Sequence, residues 1–145
     1  MKIKFYTFAG LLGAGMMALN AAEKVQAGPK GGRILEKTTP TAEFFIEKDR
    51  NVTINFYDAS MKPVPVKEQT VAIVANAKAG QQKIEFAKKG DALVSNTKLP
   101  DGDGYNVVVQ YKPSGDAKPQ NYRFTIDTST CGGCQRAEYA CTCDE

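Results

Sequence analysis

From Arg33 onward, apolar residues recur at every second position more often than at every third or fourth. That is the period of a half-buried strand, not of a helix. Between Asn51 and Tyr57 the alternation is complete: Val52, Ile54 and Phe56 share one face, and Thr53, Asn55 and Tyr57 the other. Tyr122, Phe124 and Ile126 alternate with Arg123, Thr125 and Asp127 in the same way. So do Tyr105, Val107, Val109 and Tyr111 with Asn106, Val108 and Gln110, and Ile84 and Phe86 with Lys83 and Glu85. Thr70 to Ala75 is more uniformly apolar, the pattern of a strand covered on both faces.

Turn clusters separate these runs: Asp58-Ala59-Ser60, Lys89-Gly90-Asp91, Asp101-Gly102-Asp103-Gly104 and Pro113-Ser114-Gly115-Asp116. Pro63 and Pro65 mark an edge or a loop, because proline cannot donate to a ladder. Strands are therefore predicted near 33–37, 42–47, 51–57, 69–75, 82–87, 91–95, 105–111 and 121–127. No window of ten or more residues after residue 32 has helical periodicity, and there is no internal repeat. Seven or eight short strands at this spacing predict an all-β fold, a two-sheet antiparallel β-sandwich of Ig-like shape. This body contains no cysteine and no tryptophan, so its apolar faces must hold it together unaided. The aromatic residues on those faces read as core; Tyr57, Tyr105 or Tyr111 would mark a partner surface only if exposed.

The N-terminus has a different character. Met1-Lys2-Ile3-Lys4 is a short basic start, Phe5 to Leu19 is uncharged and mostly apolar, and Val25-Gln26-Ala27 ends in a small residue. This is the order of a secretory signal peptide. The apolar run of 15 residues contains Gly10, Gly13 and Gly15, and it is short of the roughly 20 residues a membrane-spanning helix needs. The expected organisation is a signal peptide over 1–27, a flexible leader over 28–32, the β-sandwich over 33–128 and a cysteine-rich tail over 129–145. A cut after Ala21 or Ala22 is the alternative. The expectation is a periplasmic or secreted protein with no membrane span after cleavage. Cleavage after Ala27 leaves 118 residues with sixteen basic and fifteen acidic side chains. No basic block remains to track phosphates, so nucleic acid is not an expected partner.

Candidate chemistry in the body is sparse. The chain has no histidine, which excludes Ser-His-Asp and Cys-His catalysis and every histidine-containing zinc site. Asp101-x-Asp103-Gly104 has the opening of a calcium loop. Tyr105 and Lys112 stand where such a loop needs oxygen ligands, so a turn is the better reading. No spacing singles out a carboxylate pair for acid–base work, and no enzyme is expected.

All four cysteines lie within thirteen residues of the tail. Cys131-x-x-Cys134 places two sulfurs on one turn, with Gly132 and Gly133 leaving the backbone free to curl. Cys141-x-Cys143 is a second pair, and Gln135 to Ala140 can loop back so that the pairs face each other. Four converging thiolates suit Zn(II), and soft thiolates also suit Cu(I), for which fewer sulfurs are enough. Two disulfides across the two motifs are the competing state, since an exported protein meets an oxidising environment. A thioredoxin-like redox role would need the Cys-x-x-Cys to open a helix after a strand, and no such pattern exists here.

One further pattern runs through the body. Gly31-Gly32-Arg33-Ile34-Leu35, Ala42-Glu43-Phe44-Phe45-Ile46 and Asn51-Val52-Thr53-Ile54-Asn55-Phe56-Tyr57-Asp58 lead to Lys62-Pro63-Val64. Gly90-Asp91-Ala92-Leu93-Val94, Tyr105-Asn106-Val107-Val108-Val109 and Tyr122-Arg123-Phe124 follow. Over about residues 30–126 the chain resembles the small periplasmic β-domains that accompany heavy-metal efflux systems and their adaptor subunits. That family often carries histidine before the paired glycines and near the Glu of the second strand, where this chain has Lys30 and Thr41 or Ala42. The resemblance implies metal handling and an efflux adaptor or other envelope protein as partner, and it supplies no catalytic residue. The expected function is an exported, non-enzymatic metal-binding accessory protein with Cys131, Cys134, Cys141 and Cys143 as ligands. The alternative is an Ig-like interaction or adhesion module whose tail is closed by disulfides.

Overall fold

A computed structural model describes residues 24–36 and 39–143. The proposed signal segment therefore lies, up to residue 23, outside the described residues. Among the described residues nine strands are formed: β1 (Arg33–Glu36), β2 (Thr41–Ile46), β3 (Val52–Tyr57), β4 (Pro63–Val64), β5 (Thr70–Ala77), β6 (Gly80–Lys89), β7 (Ala92–Ser95), β8 (Tyr105–Lys112) and β9 (Gln120–Ile126). All pairings are antiparallel, in the order β1-β2-β3-β7-β6-β5-β8-β9, with β4 added beside β3. The eight strands read from the alternation are all present. β4 is the additional one, where Pro63 lies opposite Tyr57 on an edge that does not need its missing N–H.

The ladder does not divide into the two separate sheets expected. It runs as one path because β6 is long enough to serve two neighbours. Residues Gly80 to Glu85 pair with β5, and Phe86 to Lys89 pair with β7. The path turns a corner along this strand, and the two ends of the path approach each other in a nearly barrel-like arrangement. The inward faces meet in register: Phe44 opposite Ile54, Ile54 opposite Leu93, Ile73 opposite both Ile84 and Val109, and Val107 opposite Phe124. Phe44, Ile54, Ile73, Ile84, Val107, Val109 and Tyr111 are fully buried. Tyr57 and Tyr105 are buried too, so none of the three tyrosines forms an exposed partner surface. On β5, Val71, Ile73 and Ala75 are buried while Ala72 and Val74 are only half-buried. That strand is covered well on one face, not on both, because small and β-branched side chains alone make its outer face look like core.

β2 departs from simple alternation. Thr41, Ala42, Glu43 and Phe44 are all buried. The outward face of this strand is covered by residues 28–32, expected as a flexible leader but folded into a hydrogen-bonded turn. Gly31 N–H donates to Gly28 O and Gly28 N–H to Gly32 O, and Gly31 takes a positive φ of 85° that favours glycine. Beneath the turn, the Glu43 carboxylate accepts N–H bonds from Lys30 (3.0 Å) and Gly32 (2.8 Å). It also accepts the Tyr57 hydroxyl bond at 2.6 Å. A methyl group on Gly28 would collide with Glu43, and one on Gly32 with the Phe44 carbonyl. Upstream, Ile34 N–H donates to Gln26 O at 2.8 Å and Ala27 bridges Arg33. A cut after Ala22 would keep Gln26 and Ala27 on the free edge of β1, whereas a cut after Ala27 would expose that edge.

Candidate metal centre

The tail is docked onto the body by one short element. After β9 the chain folds into a tight hairpin: Thr130 bridges Ala137, Cys131 N–H donates to Arg136 O (2.7 Å) and Gln135 N–H to Cys131 O (3.1 Å). Gln135 has φ 61°, a left-handed turn that reverses the chain directly after Cys134. A single 3-10 turn, Glu138–Ala140, then leads to Cys141. That turn fills the gap between β1 and β9, the two ends of the strand path.

Tyr139 is its anchor. The side chain is 5% exposed, and its ring packs edge-on against Phe44 at 5.9 Å. Its hydroxyl accepts the N–H of Ile46 (3.1 Å), and its own N–H donates to Asp127 O (3.0 Å). Arg33 closes the same gap from the β1 side. Its guanidinium lies 4.6 Å from the Phe124 ring centroid and donates to Tyr139 O at 3.4 Å. Burial holds the Arg33 pKa below its ordinary value.

This docking brings the two cysteine pairs face to face, as the spacing implied. All four are free thiols, and their sulfurs lie within 4.8 Å of one another. Cys131 and Cys143 are 3.7 Å apart, Cys134 and Cys141 3.6 Å, and Cys131 and Cys141 2.8 Å. Metal–sulfur bonds of about 2.3 Å in a tetrahedron set sulfur–sulfur edges of about 3.8 Å. Two of the three edges are thus at the length an ion would impose, and the third would open by about 1 Å to admit one. The four residues could hold a metal ion. Asp144, beside Cys143, lies outside the described residues.

The backbone prepares the cluster for negative charge. N–H groups of Thr142 and Arg136 are directed at the Cys134 sulfur, and they bring its thiol down to about 5. The Cys141 thiol is pushed up to about 12, chiefly by its contact with Cys131. Cys143 is raised as well, again chiefly by Cys131. These groups titrate as one unit, not as separate acids. Near neutral pH the metal-free cluster keeps protons on the raised thiols of Cys141 and Cys143. Ion binding should therefore release at least two protons. Affinity should fall steeply as pH is lowered, because ligation requires the deprotonated sulfurs and acid restores their protons. Calorimetric titration in buffers of different ionisation enthalpy counts those protons, and a count near zero would contradict this picture.

Comparisons with protein-family models, curated proteins and solved structures find no match. The supporting roles of two residues were not legible in the sequence. Tyr139 is the one large apolar residue between the cysteine pairs, which was the available signal. Gly133 was read only as backbone freedom, yet a methyl group there would sit 2.5 Å from the Cys143 sulfur. Gly132, by contrast, faces open space. Gly133→Ala should displace Cys143 and weaken metal binding by roughly 10-fold or more, the scale on which lost supporting groups act. Gly132→Ala should bind like the wild type, and competition with a chromophoric chelator measures both.

A cavity of about 420 Å³ lies between the tail and the β2–β3 hairpin, lined by Lys30, Lys48, Arg50, Arg136 and Tyr139 among others. None of the four cysteines lines it. Among the described residues, no helix is long and apolar enough to cross a membrane.

Proposed function

We propose that the protein is an exported metal-binding accessory protein that holds one soft ion, Zn(II) or Cu(I), with Cys131, Cys134, Cys141 and Cys143. The observation that carries this reading is the convergence of four free sulfurs, from two separate pairs, within 4.8 Å. The choice of ion follows ligand chemistry: four thiolates suit Zn(II), and a subset of them suffices for Cu(I). Export is supported by the basic start and apolar run of Met1 to Ala27. A link to heavy-metal efflux, with an efflux adaptor or other envelope protein as partner, is supported by the strand motifs named above.

The test is thiol titration with metal analysis of the purified chain, without reductant and again after anaerobic reduction. One ion per chain in the reduced protein supports the reading. No ion bound, even after reduction, would defeat it. A second reading, an interaction module with a disulfide-closed tail, is favoured by one distance, the 2.8 Å between Cys131 and Cys141. It expects no titratable thiols and no ion in the protein as isolated.

A further inference from the structure

The four sulfurs are not held equally. Cys131 is 6% exposed, and both its N–H and its carbonyl are bonded within the hairpin. The Cys134 sulfur receives two backbone N–H groups, from Thr142 and Arg136. Cys141 bonds through its own N–H to Glu138 O (3.1 Å), and the Cys143 N–H is directed at its sulfur. Cys143 is exposed, and the groups acting on its sulfur are the three other sulfurs. Its side chain rests against Gly133, and Gly132 and Gly133 are both exposed. A reagent or partner can therefore reach this sulfur over two residues that carry no side chain. Three sulfurs are fixed by backbone, and one stands at an open rim.

We propose that Cys143 is the exchange ligand, the position at which a bound soft metal passes to an acceptor bearing two cysteine thiolates. The inference rests on the metal-binding reading and adds a direction to it: the site is built to hand its ion on, not only to clamp the tail. The chemistry is ligand substitution without oxidation or reduction. An acceptor thiol loses its proton to water and donates a sulfur electron pair to the ion. The bond from the ion to the Cys143 sulfur breaks, that sulfur keeps its electron pair, and it takes up a proton. Zinc tolerates the transient fifth ligand this requires. A second acceptor thiolate then competes for the remaining sulfurs, which leave while their backbone stays hydrogen-bonded in the tail. A fully buried set of four would have to open its fold before any acceptor could bond to the ion.

Two measurements on the full processed chain loaded with Zn(II) test this. In the first, iodoacetamide is added in limiting amount and the labelled cysteine is mapped by mass spectrometry. Exposed thiolates react first, so Cys143 should carry the first label roughly tenfold ahead of Cys131. In the second, a peptide with a Cys-x-x-Cys pair is the acceptor. The transfer rate should rise in proportion to peptide concentration. Cys143→Ser should still bind one Zn(II), more weakly than the wild type, whereas Cys131→Ser, which removes the buried sulfur, should lose stoichiometric binding. First labelling at another cysteine, or a transfer rate independent of the peptide, would overturn the exchange role while leaving metal binding intact. If the reduced wild type binds no Zn(II) or Cu(I), the metal-binding reading falls, and this one with it.

Discussion

Tyr139→Ala should cost about 3 kcal/mol or more of folding stability, in the range found for removing a buried aromatic side chain. The reason is that this residue does three jobs at once. Its ring packs against Phe44 in the centre of the core, and its hydroxyl satisfies the N–H of Ile46. Its backbone ties the tail to Asp127 at the end of β9. Because it lies between Cys134 and Cys141, undocking it should also loosen the metal centre. Zn(II) affinity should fall in the same variant, although position 139 carries no ligand atom. Ligand binding and folding are linked, so bound ion should raise the melting temperature of the wild type more than that of the variant. Tyr139→Phe separates the contributions: it keeps the ring and loses one hydrogen-bond acceptor, which should cost about 1 kcal/mol. Chemical denaturation with and without metal measures both. If Tyr139→Ala melts like the wild type, the tail is not a structural part of the body.

Glu43→Ala should destabilise the body by about 3 kcal/mol, since it strands buried donors that a carboxylate now satisfies. Lys30 N–H, Gly32 N–H and the Tyr57 hydroxyl all lose their acceptor, and the turn over residues 28–32 loses what it is folded around. For a domain of this size, that is a fall of roughly 10 °C in melting temperature. Glu43→Gln is the informative partner, because it keeps the shape but cannot accept from all three donors, and it should fall between.

The same arrangement predicts a response to alkali. Burial, reinforced by the bond to Glu43 and its charge, raises the Tyr57 pKa above its ordinary value of 10. Tyr105 and Tyr139 are raised too, each chiefly by burial. A folded state whose pKa is raised binds its proton more tightly than the unfolded chain. The stability from these tyrosines is therefore complete below about pH 10 and is lost as pH rises beyond it. Tyr57→Phe should flatten part of that alkaline decline, which denaturation midpoints between pH 8 and 11 would reveal.

Much of the scaffold is written in local pattern. Val52, Ile54 and Phe56 announce a strand without reference to anything distant, because side chains on an extended chain alternate faces regardless of partners. The cysteine spacing is equally local: two residues between Cys131 and Cys134 and one between Cys141 and Cys143 restrict each pair to a shared turn. What lay beyond local pattern is specific. The dual pairing of β6 depends on which strands reach it, and its residues alternate in the same way whether one neighbour or two is present. The burial of Glu43 depends on a turn of glycines 11 to 15 residues earlier in the chain; by alternation alone, a carboxylate beside Phe44 belongs in water. The contact between Ile46 and Tyr139 spans 93 positions.

The sequence by itself therefore determined an all-β chain with a thiol-rich tail, and named the four sulfurs that meet. Tertiary structure decided that the strands form one path closed by that tail, that an acidic side chain is buried under the leader, and that one sulfur of the four is left accessible. The physical reason is the range of the forces involved. Strand periodicity and motif spacing are set by neighbours along the backbone. Burial and accessibility are set by which distant segments displace water from a given atom.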